Sequence, residues 1–340
     1  MECPTMLVYT SCFCLAVWLI LAGINHFYEV SFMGFRLANV GGRAALVSGE
    51  AYYDLEKISH GDFSQDPMQA LEALSELSAL DAQLENFEPS GQLADVELGP
   101  PVPNPKNCYA VGLNYRNHAE ESNMAIPPVP MVFTKHTSCI TGPTANIEMR
   151  SDYVDYEAEL VAVIGKPGKD IAREDAWQHV AGLCVGQDIS DRPMQFSAAP
   201  PQFNLGKSFD TFGPIGPVLT SLESLENYHS MEILCDVSGE LRQKDNVDDL
   251  IFDIPFIIAY LSEIVTLHTG DVIFTGTPAG VGVIEGKYLR DGDMLTTSIE
   301  GLGSLRNRCV RVTDHSRADI LPDAFSKLLA AAREKAAGHK

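Results

Sequence analysis

The reading turns on Val154–Gly165, VDYEAELVAVIG. As a strand this stretch alternates, so Glu157, Glu159 and Val161 share one face while Tyr156, Ala158 and Leu160 share the other. Two carboxylates then stand side by side. Neighbouring like charges raise each other's pKa, so a buried Glu-x-Glu asks for a cation, whereas the same spacing on an exposed face needs none. The run GLCVGQDISDR (182–192) is too apolar for a surface strand, and it ends with Asp188, a third carboxylate at a strand end. A set of three oxygen ligands points to Mg²⁺ or Mn²⁺ rather than zinc and leaves positions open to water and substrate.

Outward from this stretch, short β-rich runs alternate with glycine and proline turns: CYAVGL, MEILCDVSG, DVIFTGTPAGVG and MLTTSIEGLG. Helical patterns intrude at Arg173 to Val180 and at Ile254 to Thr266. The pattern predicts an α+β chain that is mainly β, a barrel or sandwich with some helix, rather than a doubly wound sheet. Neither GxGxxG after a strand nor GxxxxGK[ST] occurs, which argues against a bound nucleotide.

Ahead of it, Gly34 to Leu55 reads as a small hairpin-rich sheet. Asp66-Pro67 then opens a helix whose Leu71, Leu74, Leu77, Leu80 and Leu84 recur at helical spacing until Pro89. LGPPVPNPK (98–106) reads as a stiff linker. The expected organisation is therefore an apolar leader (1–32), a small N-terminal domain (33–100), a catalytic metal-binding domain (101–313) and a C-terminal helix (314–340). That helix would dock through Leu321, Phe325, Leu328 and Leu329.

The chain has 340 residues, of which 45% are hydrophobic, enough for about two domains. Against 46 Asp plus Glu stand 24 Lys plus Arg, a net charge of −22 that repels a phosphate backbone, so no nucleic-acid partner is expected. Its eight cysteines form no CxxC pair, which excludes a zinc ribbon or disulfide scaffold and favours a reducing, cytoplasmic setting. Cys3 to Asn25 carries no charge. It reads as a membrane anchor or uncleaved signal, as a buried helix, or as an artefact of start-site choice, with Met33 as the alternative start. A membrane partner, or an exported form, is expected only if this leader is a genuine anchor.

Further chemistry-bearing residues fall in loops or at strand ends: Arg116, His118, Glu120 and Glu121 in GLNYRNHAEE, Arg192 and Gln195 in DRPMQ, Lys207 in LGKSFDTFGPIGP, and Thr277 in FTGTPAGVG. Each alone has an ordinary structural explanation. Taken in order, VGLNYRNHAEE, VDYEAELVAVIG, GQDISDRPMQ, LGKSFDTFGPIGP, DLIFDIPFIIAYLS and GDVIFTGTPAGVG resemble the fumarylacetoacetate hydrolase family over about Lys106 to Val312.

The resemblance implies a mixed β-sandwich roll, a homodimer, and Mg²⁺ or Mn²⁺ on Glu157, Glu159 and Asp188. Its substrates would be small 2-oxo or 2,4-dioxo carboxylates. By position His118 and Glu121 would activate water, Lys207 would stabilise an enolate, and Arg116, Arg192, Gln195 and Thr277 would address the substrate. The leading expectation is hydrolysis of a C–C bond in an acylpyruvate-type acid. Decarboxylation of oxaloacetate, and hydration or isomerisation of a 2-oxo dienoate, pass through the same kind of enolate, and a carboxylate binder without turnover is the alternative outside enzymes. His136 and the proline-rich SNMAIPPVPMV depart from the family pattern and leave the pocket for the substrate tail unspecified.

Overall fold

The computed structural model describes residues 34–312 and, near the C-terminus, residues 325–327, 329–331 and 334. The leader, Leu321 and Leu328 lie outside the described residues. The principal strands are β1 (Arg36–Val40), β2 (Arg43–Ser48), β3 (Ala51–Asp54), β4 (Cys108–Gly112), β5 (Met131–Thr134), β6 (Ala158–Ile164), β7 (Val180–Gln187), β8 (Gly213–Thr220), β9 (Glu232–Val237), β10 (Glu240–Asn246), β11 (Val272–Phe274), β12 (Met294–Ile299) and β13 (Gly303–Arg311). The main helices are α1 (Leu74–Asp81), α2 (Arg116–Glu121) and α3 (Ile254–Ile264).

One large sheet runs β3-β2-β1-β8-β7-β6-β11-β4-β5, with two-residue strands at its margins, and a second runs β10-β9-β12-β13 and ends on Ile147–Met149. The expected mainly β, α+β architecture holds. Residues 34–100 enter the large sheet directly, because β1 pairs antiparallel with β8 through Arg36–Thr220 and Leu37–Leu219.

All seven residues of β6 are buried, because both of its faces are covered. Leu160 and Ala162 face a core shared with Ile233, Leu295 and Leu305 of the second sheet. Val161 and Val163 face the opposite core, with Leu37, Leu46, Leu71 and Leu77. Each such aliphatic side chain contributes about 1.5–3 kcal/mol on burial, so β6 is anchored from both sides. Glu159 follows the parity of Val161 and therefore leaves the strand on the second of these faces.

Helix α3 starts where Asp253 accepts the Phe256 amide and Pro255 occupies the first turn. It buries Ile257, Ile258 and Leu261. The leucine stripe does not form one helix. Asp66 caps Pro67–Ala70 as expected, but the amides of Glu72 and Ala73 bond three residues back, and the chain re-enters a helix at Leu74. This break still lets Leu71, Leu77 and Leu84 enter a common core. Phe325 and Leu329 are buried against Val281, Val283, Tyr153 and Phe196. The cysteines at 108, 139, 184, 235 and 309 are buried and free.

Candidate active site

Antiparallel pairing of β6 with β7 sets Ala158 opposite Gln187. One step beyond that pair, Glu157 precedes β6 and Asp188 follows β7, and the Asp188 amide donates to the Glu157 carbonyl at 2.9 Å. Glu159 lies opposite Gly186 one pair further in. Register alone thus gathers the three acids, and their carboxylate oxygens lie within 4.8 Å of one another.

Cations converge on this cluster. Lys207 Nζ donates to Glu157 Oε2 at 2.6 Å and to Asp188 Oδ2 at 2.8 Å. Arg192 reaches Asp155 through Nε at 2.8 Å, Gln195 Oε1 through one terminal nitrogen at 2.7 Å, and Glu157 Oε1 through the other at 2.7 Å. Burial opposes ionisation of Glu157, but Lys207 and Arg192 outweigh it and hold this carboxyl well below the usual range. Glu159 differs: its partner is the Gly276 amide at 2.7 Å, and burial together with Asp188 and Glu157 pushes its carboxyl well up.

Helix α2 brings His118 to the same cavity, which has a volume of about 420 Å³. His118 Nδ1 lies 2.8 Å from Glu121 Oε1, and Glu121 Oε2 accepts the Gly280 amide at 3.0 Å. An ionised carboxylate only accepts, so Nδ1 carries the proton and the neutral ring keeps its lone pair on Nε2. Gly280 has φ +100°, and a Cβ there would fall 2.1 Å from the Arg242 carbonyl oxygen, so this contact to Glu121 requires glycine. Thr277 also lines the cavity, and its hydroxyl accepts from Gln243 Nε2 at 2.8 Å.

Of the anticipated site residues, His118, Glu157, Glu159, Arg192, Gln195, Lys207 and Thr277 line one cavity, and Glu121 stands behind His118. Asp188 closes the acidic cluster from below. Arg116 is not brought there. It sits two residues before His118, roughly 200° around the helix, with its side chain 53% exposed and Asp249 at 3.9 Å. Glu120 is likewise exposed.

Three residues escaped sequence reasoning. Lys135 is fully buried and donates to Asp188 Oδ1 at 2.7 Å, to the Phe212 carbonyl at 3.2 Å and to the Lys207 carbonyl. Asp155 fixes Arg192 while accepting the Gly282 and Val283 amides at 2.7 and 2.8 Å. Gln243 joins the Ala158 amide to Thr277. Asp155 stands two residues before Glu157, and that proximity was its available signal. The neighbouring His136, singled out as a departure from the family pattern, is exposed.

A family model described as "Fumarylacetoacetate (FAA) hydrolase C-terminal" matches residues 107–310. Among similar proteins, a mitochondrial oxaloacetate tautomerase of Bos taurus is 42% identical over 221 residues, covering 64% of this chain and 70% of the relative. The maleylpyruvate hydrolase of Sphingobium, solved with manganese(II) and pyruvate, matches with a TM-score of 0.69 and 30% identity over 82% of this chain and all of that one. The 5-carboxymethyl-2-hydroxymuconate delta-isomerase of Mycobacterium smegmatis matches with a TM-score of 0.65 and 30% identity, over 83% of this chain and all of that one.

Proposed function

Since the chain belongs to the fumarylacetoacetate hydrolase family, we propose that it is a divalent-metal-dependent enzyme that takes a 2-oxo acid through an enolate, with keto–enol interconversion as its basic reaction. The observation that carries this reading is an excess of buried carboxyl groups over cations at the floor of the cavity that His118 lines. Four buried carboxylates, those of Asp155, Glu157, Glu159 and Asp188, meet three buried cations, those of Lys135, Arg192 and Lys207. Among the described residues Glu159 has no cationic partner.

Three clustered carboxylates with unequal cation pairing fit a hard divalent ion held by Glu157, Glu159 and Asp188, and all-oxygen donors favour Mg²⁺ or Mn²⁺. The manganese and pyruvate of the Sphingobium relative support that choice. When bound, such an ion supplies positive charge against which the enolate oxygen can develop.

The protein's own groups do the proton work. His118, oriented by Glu121, takes a proton from C3 at Nε2, and one proton returns to the 2-oxo oxygen to complete the enol. Lys207 lends a cation to the same space. Each of the three Arg192 nitrogens donates to Asp155, Gln195 or Glu157, so we assign it to fixing Glu157 rather than to holding substrate. The Thr277 hydroxyl, already accepting from Gln243, still has its proton to give a substrate carboxylate.

Keto–enol interconversion takes precedence over the anticipated hydrolysis because the bovine relative is named for it. Hydrolysis of a 2,4-dioxo acid stays as the second reading, on the strength of the His118–Glu121 pair. There His118 would take a proton from water, hydroxide would add at C4, the C3–C4 electron pair would pass to C3 as that bond breaks, and the proton on His118 would return to C3 to give the shorter 2-oxo acid. A carboxylate binder without turnover has less support, because the similar proteins above carry enzyme names. The expected cytoplasmic location has less support than a mitochondrial one, which the bovine name carries. Among the described residues no helix is long and apolar enough to cross a membrane.

The test follows enol absorbance and pyruvate release separately, with oxaloacetate and with a neutral acylpyruvate, at saturating Mg²⁺ and with chelator. Ion-dependent loss of enol without matching pyruvate supports interconversion. Stoichiometric pyruvate from the acylpyruvate supports hydrolysis. Activity unaffected by chelator rejects the metal.

A further inference from the structure

The cavity is larger than a 2-oxo acid head requires, and the excess is apolar. One wall carries Phe133 and Phe203, whose ring centroids lie 5.6 Å apart. The other carries Phe196, Val283 and Ile284. That second wall is backed from the C-terminal helix by the fully buried Phe325, which stacks on Phe196 at 6.4 Å with an interplanar angle of 9°.

Lys207 Nζ lies 5.4 Å from the Phe133 ring centroid, but among the described residues no cation uncommitted to a buried acid lines these walls. Arg192 and Lys207 are the guanidinium and ammonium groups lining the cavity, and both are committed to buried acids. Any positive charge gained by His118 is matched by Glu121 at 2.8 Å. A second carboxylate at the far end of the substrate would be buried without a counter-charge, which is costly.

We propose that the apolar half of the cavity binds an uncharged alkyl or aryl group at the end of the substrate distal to the 2-oxo carboxylate, so that long neutral-tailed acids are preferred over dicarboxylates of the same length. This rests on the metal-dependent 2-oxo acid reading above and narrows its substrate class. Each methylene moved from water onto these walls is worth roughly a fourfold gain in affinity.

The experiment is calorimetric titration of the full chain at saturating Mg²⁺ with oxalate, pyruvate, 2-oxohexanoate and 2-oxoadipate. The last two share a six-carbon skeleton and differ in ending in a methyl or a carboxylate. The expected result is binding of 2-oxohexanoate at least thirtyfold tighter than pyruvate, with 2-oxoadipate no tighter than pyruvate. Oxalate and pyruvate bound, but 2-oxoadipate equal to or tighter than 2-oxohexanoate, overturns the tail assignment alone. Failure of oxalate and pyruvate to bind overturns the metal reading, and the tail assignment with it. Ile284→Arg and Phe203→Arg place a guanidinium on either wall, and the ratio of the two six-carbon acids should move at least tenfold toward 2-oxoadipate in whichever variant folds. An unchanged ratio in folded protein overturns the proposal.

Discussion

Lys135 Nζ lies 2.7 Å from Asp188 Oδ1, with the two side chains 0% and 1% exposed. The ammonium props the acid from the side away from Lys207, which takes the other oxygen. Burial disfavours the charged lysine, but Asp188 outweighs it, and the ammonium is held above its ordinary range. Lys135→Met should therefore leave the buried Asp188 Oδ1 without its cation, with Lys207 alone facing Asp188 and Glu157, and cost about 3–5 kcal/mol. Urea unfolding with and without Mg²⁺ reads this directly. An unchanged midpoint would show that Asp188 does not depend on Lys135.

What was legible in the sequence followed strand periodicity. Glu157 and Glu159 alternate with Ala158 and Leu160, so their shared face follows from VDYEAELVAVIG itself, whereas their burial was signalled by the apolar partner run that ends at Asp188. Lys135 was illegible because FTKHTSC reads as a polar surface turn, and its burial is imposed by Asp188 and Phe212, 53 and 77 residues away. The single leucine helix failed for a related reason. Periodicity records which leucines reach the core, but carries no information on the two tight turns that redirect the chain at 72 and 73. Arg116 was misplaced because sequence adjacency to His118 hides their separation around α2.

Arg116→Ala should be nearly silent. Its side chain is more than half exposed and its ion pair is long, so stability should change by no more than about 0.5 kcal/mol. The value of kcat/KM should stay within about twofold. A tenfold rise in KM would restore Arg116 as a substrate contact.

The dyad separates proton transfer from binding. His118→Ala should keep oxalate and Mg²⁺ binding, because the carboxylates and Lys207 are untouched, yet lower turnover by about 10²–10⁴. Glu121→Gln should lose less, since its amide oxygen still accepts from Nδ1 but no longer stabilises an imidazolium. Wild-type kcat in His118→Ala would remove the residue from the reaction.

Gly280→Ala tests the support behind that dyad. A methyl group 2.1 Å from the Arg242 carbonyl oxygen, at φ +100°, cannot be placed without moving the backbone that holds Glu121. We expect a loss of about 1–3 kcal/mol in stability and a fall in kcat larger than any change in oxalate affinity. Equal loss of both would mean that the turn supports the whole cavity rather than His118.

The central claim, that the Glu157–Glu159–Asp188 cluster binds an ion which makes C3 of a 2-oxo acid exchangeable by His118, is tested most directly by proton NMR in D₂O. The measurement is the rate at which deuterium replaces hydrogen at C3 of a neutral acylpyruvate, above the background without enzyme. The account predicts rapid exchange with Mg²⁺ or Mn²⁺, none above background with chelator, and none in Glu159→Ala even at saturating ion. Exchange that proceeds equally with chelator, or that survives intact in Glu159→Ala, would contradict it.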